Sequence, residues 1–234
     1  MQSNRKLEGK AMRKIATQGL TALALLALTT AARADVFFEM GDAGQLPGTA
    51  QPVIVTGPLD AISGNISNNN DVDMFMIFIP NPALFSATTA GGTGTLVDTQ
   101  LFLFRADGTG VEANDDISLT NRRSSLPAGN PNAPTTAGIY LLAISSFNND
   151  PLAPGGARIF PDPSGIGMTV GPTGPGDGNP VSGWTNAGTG SGTYTITLTG
   201  AESVTAVPEP ASLVLVGTSL LGALGYGWRR RLLA

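Results

Sequence analysis

Side chains that bear oxygen are the groups in this sequence with the clearest capacity for chemistry, and they fall into two clusters. The first cluster comprises Asn70, Asp71 and Asp73, and the alternate positions 71 and 73 of an extended strand point the same way. The second cluster is longer and comprises Asp98, Asp107, Asn114, Asp115 and Asp116. Calcium takes six to eight oxygen ligands from carboxylates, amides and carbonyls. The pattern therefore predicts a calcium site, the alternative being that these residues stabilise turns and cap strands.

Absent residue types exclude most catalytic chemistry. The sequence has no cysteine and no histidine, and no lysine lies between Asp35 and Val207. Thiol catalysis, Ser-His-Asp triads, Ser-Lys pairs and lysine-dependent phosphate loops are therefore excluded from this segment. Only a pair of carboxylates remains, which leaves glycoside hydrolysis as a remote alternative. We accordingly predict a protein without enzymatic activity.

The central segment is strongly acidic. Residues 35–207 carry four arginines against fifteen acidic side chains, a formal charge of −11. Such a surface repels nucleic acid and anionic lipid and attracts cations. We therefore expect no nucleic-acid partner.

Residues 148–190 are predicted to form one long loop. This segment contains eleven glycines and seven prolines, a density that opposes both helices and central strands. We expect an Ω-like excursion pinned by Phe160 and Trp184. Trp184 and Phe147 are also candidates for stacking on a sugar ring, and packing in the core is the alternative for both.

The segments around this loop predict an all-β fold. Short apolar or alternating runs are separated by turn residues, which is typical of an antiparallel β-sandwich. The run at 74–79 (MFMIFI) is apolar on both faces and predicts a strand covered on both sides. In the run at 193–199 (TYTITLT), we expect Tyr194, Ile196 and Leu198 to face inward. The other predicted strands are 85–89, 100–105 and 139–145.

The motifs between residues 60 and 147 follow the order of a known pattern. They are DVDMF at 71–75, DTQLFLF at 98–104, DG at 107–108, ANDD at 113–116 and GIYLLAISS at 138–146. This order resembles the bacterial pre-peptidase C-terminal (PPC) domain. The resemblance implies a jelly-roll-like β-sandwich, a non-catalytic role beside secreted enzymes and, in some members, calcium binding.

The N-terminal 34 residues predict a signal peptide. Arg13 and Lys14 precede an uncharged apolar run at 20–28, and residues 32–34 (ARA) place alanine at both small-residue positions of a cleavage site. We therefore expect signal peptidase to cut between Ala34 and Asp35. The working domain is then predicted to span residues 35–205.

The C-terminal segment, residues 206–234, has three ordered features. Pro208, Glu209 and Pro210 precede eighteen uncharged residues, 211–228, and a basic end formed by Arg229, Arg230 and Arg231. Eighteen helical residues span ~27 Å, enough to cross a hydrocarbon core. We thus predict a helix that anchors the chain in the inner membrane, with the arginines cytoplasmic.

These C-terminal features resemble the PEP-CTERM sorting signal of bacteria that secrete exopolysaccharide. The resemblance implies cleavage near Pro208–Pro210 by an exosortase-type protease and delivery to the cell surface or extracellular matrix. The expected function is that of a non-catalytic matrix component, with exopolysaccharide as a candidate partner. The alternative is a calcium-dependent carbohydrate-binding module, with Ca²⁺ as the only candidate cofactor.

Overall fold

The computed structural model describes residues 35–204, which form twelve β-strands and two single-turn 3-10 helices, Pro47–Thr49 and Pro82–Leu84. The predicted all-β class is confirmed. The strands are β1 (Asp35–Phe38), β2 (Gln51–Pro52), β3 (Leu59–Ile66), β4 (Val72–Ile79), β5 (Ser86–Thr88), β6 (Thr99–Arg105), β7 (Gly110–Asn114), β8 (Ser125–Leu126), β9 (Gly138–Ser146), β10 (Pro151–Leu152), β11 (Gly183–Trp184) and β12 (Gly192–Ala201).

Two five-stranded sheets face each other. The first sheet has the order β1-β3-β12-β5-β8, and the second has the order β2-β4-β9-β6-β7. The prediction of a purely antiparallel sandwich is wrong, because β1 runs parallel to β3 and β2 runs parallel to β4. Each of these pairs is joined by a connection of about twenty residues, long enough to return the chain to the same end of the sheet. Both sheets are therefore mixed.

The space between the two sheets is an apolar core, here called the inner core. Tyr194, Ile196 and Leu198 of β12 point into it and are each at most 2 % exposed, as the alternation of that strand predicts. The second sheet supplies the facing side chains from β4, β6 and β9, among them Phe75 and Leu103. Because side chains alternate across a strand, these residues account for only one face of the second sheet.

The other face of the second sheet is covered by the glycine- and proline-rich segment and forms an outer core. Met74 and Phe102 project from the sheet into this core. Residues of the covering segment meet them there: Ala153, Ile159, Phe160, Val181 and Trp184. The apolar run of β4 is therefore explained by burial on both faces. Within the covering segment, β10 and β11 form a separate two-stranded sheet.

A buried polar network also fixes the covering segment to the sheet. The Asp150 carboxylate is bound by the guanidinium of Arg158, by the Ser164 hydroxyl at 3.0 Å and by the Gln100 side-chain amide of β6 at 3.1 Å. Asp150 is only 3 % exposed, so its charge lies among fixed hydrogen-bond donors rather than in water. The covering segment thus has both apolar and polar anchors.

The predicted signal peptide at 1–34 and the predicted membrane helix at 211–228 lie outside the described residues. Over residues 35–204 the structure contains no helix both long and apolar enough to span a bilayer. Asp35, the predicted first residue after signal cleavage, is the first residue of β1, and its carboxylate accepts hydrogen bonds from Thr56 and Gly57.

Candidate functional site

Three of the predicted calcium ligands come together at one edge of the second sheet. Asp98 immediately precedes β6, and Asp115 and Asp116 immediately follow β7. Because β6 and β7 are antiparallel neighbours, the start of one strand lies beside the end of the other. One carboxylate oxygen from each of the three aspartates lies within 4.8 Å of the others. We call these three residues the edge cluster.

The electrostatics of the edge cluster are unfavourable for three free carboxylates. Burial raises the pKa of Asp115 to about 7, and the charges of Asp116 and Asp98 act in the same direction. Burial, followed by the charge of Asp98, also raises the pKa of Asp116. The nearest compensating charge is Arg122, whose Nη1 lies 2.6 Å from Oδ2 of Asp98. The arrangement therefore favours an additional positive charge.

Asn114 and Asp107 lie in the same part of the sequence but hold the backbone. The Asn114 amide donates to the carbonyls of Met168 at 2.9 Å and Asp116 at 3.1 Å, while its Oδ1 accepts from the Ser125 N–H at 2.7 Å. The exposed Asp107 accepts two hydrogen bonds from Thr109, which lower the pKa of its carboxyl.

Asp107 and Gly108 form the predicted turn between β6 and β7, where Gly108 has a φ of +88°. Asp107 belongs to neither of the acidic groups among residues 35–204 that could hold a metal ion. The side-chain amide of Asn114 is already used by the backbone groups named above. Their geometry corresponds to the turn-stabilising alternative.

The other pair predicted from the sequence, Asp71 and Asp73, is divided between two roles. Asp71 accepts a 2.5 Å hydrogen bond from the Ser67 N–H in the turn before β4. Asp73 points between the sheets, and its Oδ2 accepts a 2.7 Å hydrogen bond from the Tyr194 hydroxyl. Burial raises the pKa of Asp73 to about 9, against the opposing effect of that hydrogen bond. The Asp73 carboxyl is therefore neutral near pH 7.

Asp73 also belongs to a second acidic group, with Glu39 and Asp42, whose carboxylate oxygens lie within 4.8 Å of one another. Glu39 already accepts hydrogen bonds from the backbone N–H groups of Ala43 at 2.9 Å and Asn65 at 2.8 Å. Of the atoms in this group, Oδ1 of Asp73 is buried without a partner. The edge cluster has three such atoms, so it is the stronger candidate for a cation.

Trp184 is packed in the outer core. The indole is 5 % exposed, its ring centroid lies 5.6 Å from that of Phe102, and its N–H donates to the Gln45 carbonyl at 2.8 Å. Stacking on a sugar requires an open ring face, and this ring is covered. Phe147, at 36 % exposed, is the more accessible aromatic side chain.

Two buried acidic residues were not anticipated from the sequence. One is Asp150 in the network with Arg158, and the other is Glu112 on β7, which is 1 % exposed. Burial raises the pKa of Glu112 to about 7, and the only opposing contribution is a 2.7 Å hydrogen bond from Asn130. Glu112 lies between Val111 and Ala113 of β7, and this apolar setting is the signal that could have marked it as buried.

Comparison with known proteins places one function on the C-terminal segment. Residues 206–231 match the PEP-CTERM protein-sorting motif. That match includes the predicted motif residues Pro208, Glu209 and Pro210 and the arginines 229–231. The motif indicates exosortase-dependent processing and membrane-anchored sorting of an exported protein toward the cell surface. No curated protein matches the chain.

Proposed function

We propose that the chain is a non-catalytic structural component of the extracellular matrix, delivered by an exosortase. The observation that carries the proposal is the PEP-CTERM motif at residues 206–231, which follows a β-sandwich in the same chain. Cleavage at both ends leaves the β-sandwich as the delivered product.

The chemistry of residues 35–204 supports a role without catalysis. This segment contains no histidine, cysteine or lysine, so carboxylates would have to carry any acid–base reaction. Asp73 is closed in by Tyr194, and Asp150 is held by Arg158, so both serve the fold. Turnover of a host polysaccharide by the purified chain would contradict the proposal.

We further propose that the domain is PPC-like. The motifs that carry that resemblance fall on strands or strand ends: DVDMF enters β4, DTQLFLF forms β6, ANDD ends β7, and GIYLLAISS is β9. These strands are adjacent in the second sheet, in the order β4-β9-β6-β7. The location of these four motifs in one continuous sheet supports the proposal of a PPC-like sandwich core.

A calcium-dependent carbohydrate-binding module is the second candidate, and the edge cluster is the observation that favours it. The burial of Trp184 removes one of the two aromatic side chains that the sequence offered for a sugar, and the other, Phe147, is 36 % exposed. Binding of the purified chain to a glycan array in calcium, abolished by a chelator, would favour this module over a matrix component.

Sorting can be tested in a host that carries an exosortase. We expect the wild-type chain to appear in the extracellular fraction, shortened at its C-terminus. Replacing Pro208, Glu209 and Pro210 together by alanine should hold it in the membrane fraction, as should deletion of the exosortase gene. The matched control is Glu202→Gln, which changes an acidic residue upstream of the motif and should be released normally. Equal release of the triple variant would contradict the proposal.

The matrix role requires a separate measurement. We expect the released chain to sediment with exopolysaccharide, and a strain lacking the gene to form a matrix that disperses under lower shear. Recovery of the released chain entirely in the dissolved fraction, with unchanged matrix cohesion, would contradict this role while leaving the sorting route intact.

A further inference from the structure

The edge cluster contains buried oxygens without hydrogen bonds. Asp115 is 1 % exposed, and neither of its carboxylate oxygens has a hydrogen-bond partner. Oδ1 of Asp116 is buried in the same way. Buried carboxylates in proteins are normally paired, hydrogen-bonded or bound to a metal. Asp115 therefore has an unmet requirement for a positive partner, and it points toward Asp98 and Asp116.

The charge balance of the edge cluster matches a divalent cation. Three carboxylates face one guanidinium, that of Arg122, which binds Asp98 and has a side chain 66 % exposed. The ionised cluster therefore has a net charge of −2. Arg122 lies on the solvent side of Asp98 and makes no hydrogen bond to Asp115. A cation between the three carboxylates would neutralise the buried side of the cluster.

We propose that Asp98, Asp115 and Asp116 form a calcium site. All candidate ligands are oxygens, which Ca²⁺ prefers, whereas Zn²⁺ favours nitrogen and sulfur. Three carboxylates can supply up to six oxygens by bidentate binding, a flexible geometry that Ca²⁺ accepts and Mg²⁺ resists. Water can complete the coordination on the side of Asp98, whose side chain is 20 % exposed.

Calcium at this position would join three parts of the fold. Asp98 belongs to the start of β6, and Asp115 and Asp116 belong to the end of β7. The backbone N–H groups of Asp115 and Asp116 both donate to the Gly165 carbonyl, at 3.0 and 3.1 Å. Gly165 lies in the covering segment, so the site connects that segment to the sheet edge. This role is independent of the sorting route.

The direct test uses the full chain, purified in detergent and stripped of metal with a chelator. Calorimetric titration with CaCl₂ should give one Ca²⁺ per chain, with a Kd of about 0.1–1 mM, the range of extracellular modules. At about 10 mM CaCl₂ the melting temperature should rise by roughly 3–10 °C. The absence of any shift at that concentration, or an equal shift with MgCl₂, would overturn the proposal.

Asp115→Asn distinguishes calcium binding from a purely structural role. Without calcium, this variant should melt no lower than the wild type, because it removes an unpaired buried charge. With calcium, it should lose the stabilising shift. The matched control is Asp177→Asn, an exposed aspartate outside the cluster, which should keep the full shift. A full shift in Asp115→Asn would overturn the proposal, and Asp98→Asn makes the same test if Asp115→Asn does not fold.

Discussion

The two faces of the second sheet are both sealed from water, but by different kinds of partner. The inner face meets another sheet, whose central strand β12 presents apolar side chains at alternate positions. The outer face meets a segment with eleven glycines and seven prolines, which provides few apolar side chains. Each face also buries an aspartate, Asp73 on the inner side and Asp150 on the outer side.

The comparison shows that an irregular segment can cover a sheet if a few anchors replace a regular pattern. Phe160 and Trp184 fill the outer core, and Asp150 is neutralised by Arg158. Glycine allows the backbone of this segment to pack closely on itself. A Cβ atom added at Gly176 would lie 2.6 Å from the Ala157 carbonyl oxygen, too close for any other residue without displacement.

The largest expected effect is that of removing a large side chain from either core. It tests whether the outer core is packed as firmly as the inner one. Phe75→Ala empties the inner core and Phe102→Ala empties the outer core, and both side chains are fully buried. Each substitution should lower the free energy of unfolding by about 3–5 kcal/mol. Urea unfolding of the full chain in detergent measures both values.

A matched control is Phe38→Ala, because that side chain is 68 % exposed and its removal should cost less than about 0.5 kcal/mol. If the loss of stability in Phe102→Ala resembled that of this control instead of that of Phe75→Ala, the covering segment would not be tightly packed against the sheet.

The next effect concerns pH and the inner aspartate. The folded-state pKa of Asp73, about 9, lies above its ordinary value of 3.8, so between these values the folded state binds the additional proton. Stability is therefore highest below pH 4 for this group and is lost as pH rises toward 9. The loss should be about 2–3 kcal/mol between pH 6 and pH 8.

The acidic neighbours Glu39, Asp71 and Asp42 all raise the pKa of Asp73 further, and the Tyr194 hydroxyl opposes them. Asp73→Asn keeps the shape of the side chain but cannot ionise, so its stability should change less over that pH range. Melting curves of both chains from pH 5 to pH 9 make the comparison. A wild-type profile no steeper than that of the variant would show that Asp73 is not buried as a neutral acid.

The outer aspartate should respond to the loss of its partner. Arg158→Ala leaves the charge of Asp150 buried with only uncharged donors. Removing one partner of a fully buried pair costs about 3–5 kcal/mol, and the 30 % exposure of Arg158 should reduce this to roughly 2 kcal/mol. Arg105→Ala, at an exposed arginine without a salt bridge in the described part of the chain, is the control. If both variants lowered the free energy of unfolding by the same small amount, Asp150 would not be an anchor of the covering segment.

The smallest expected effect comes from a substitution that separates the packing of the Trp184 ring from the hydrogen bond of its N–H group. Trp184→Phe keeps an aromatic side chain beside Phe102 but removes the N–H that binds the Gln45 carbonyl. The expected loss is about 1 kcal/mol, the typical contribution of one hydrogen bond. Urea unfolding against the wild type measures it, and a loss as large as that of Phe102→Ala would show that ring volume dominates.

The long strands were predictable because their patterns are strong. The apolar runs of β4, β6 and β9 and the alternation of β12 coincide with the predicted segments. β3 was missed although it pairs with β12 over most of its length, because Asp60, Ser63, Gly64 and Asn65 obscure its pattern. The parallel edge pairs depend on long connections, whose course a local pattern does not specify.

The sequence identified the oxygen-bearing residues of the candidate site, but it did not show which of them come together. Asp98 precedes β6, and Asp115 and Asp116 follow its antiparallel neighbour β7, so the three aspartates lie close together. A strand–turn–strand interpretation of residues 99–114 allows this arrangement. The same interpretation could not exclude Asn114 as a ligand. Its amide donates hydrogen bonds to the carbonyls of Gly165 and Met168, which are distant in the sequence. The Asp150–Arg158 pair was missed for the same reason: burial of an ion pair is a property of the assembled fold.

The position of β12 has a mechanical consequence for the anchored stage of sorting. β12 lies inside the first sheet, between β3 and β5, and the chain continues from it to Val204, whose N–H donates to the Val53 carbonyl at 3.1 Å. Only residues 205–207 separate this point from Pro208, a reach of at most about 14 Å for an extended chain. A pull on the C-terminal segment would therefore reach the hydrogen bonds of residues 202–204 to the second sheet first, and then those of β12 to its two neighbours. A protease that cuts near Pro208 would therefore work within that reach of the folded sandwich, whose last described residues are tied to both sheets.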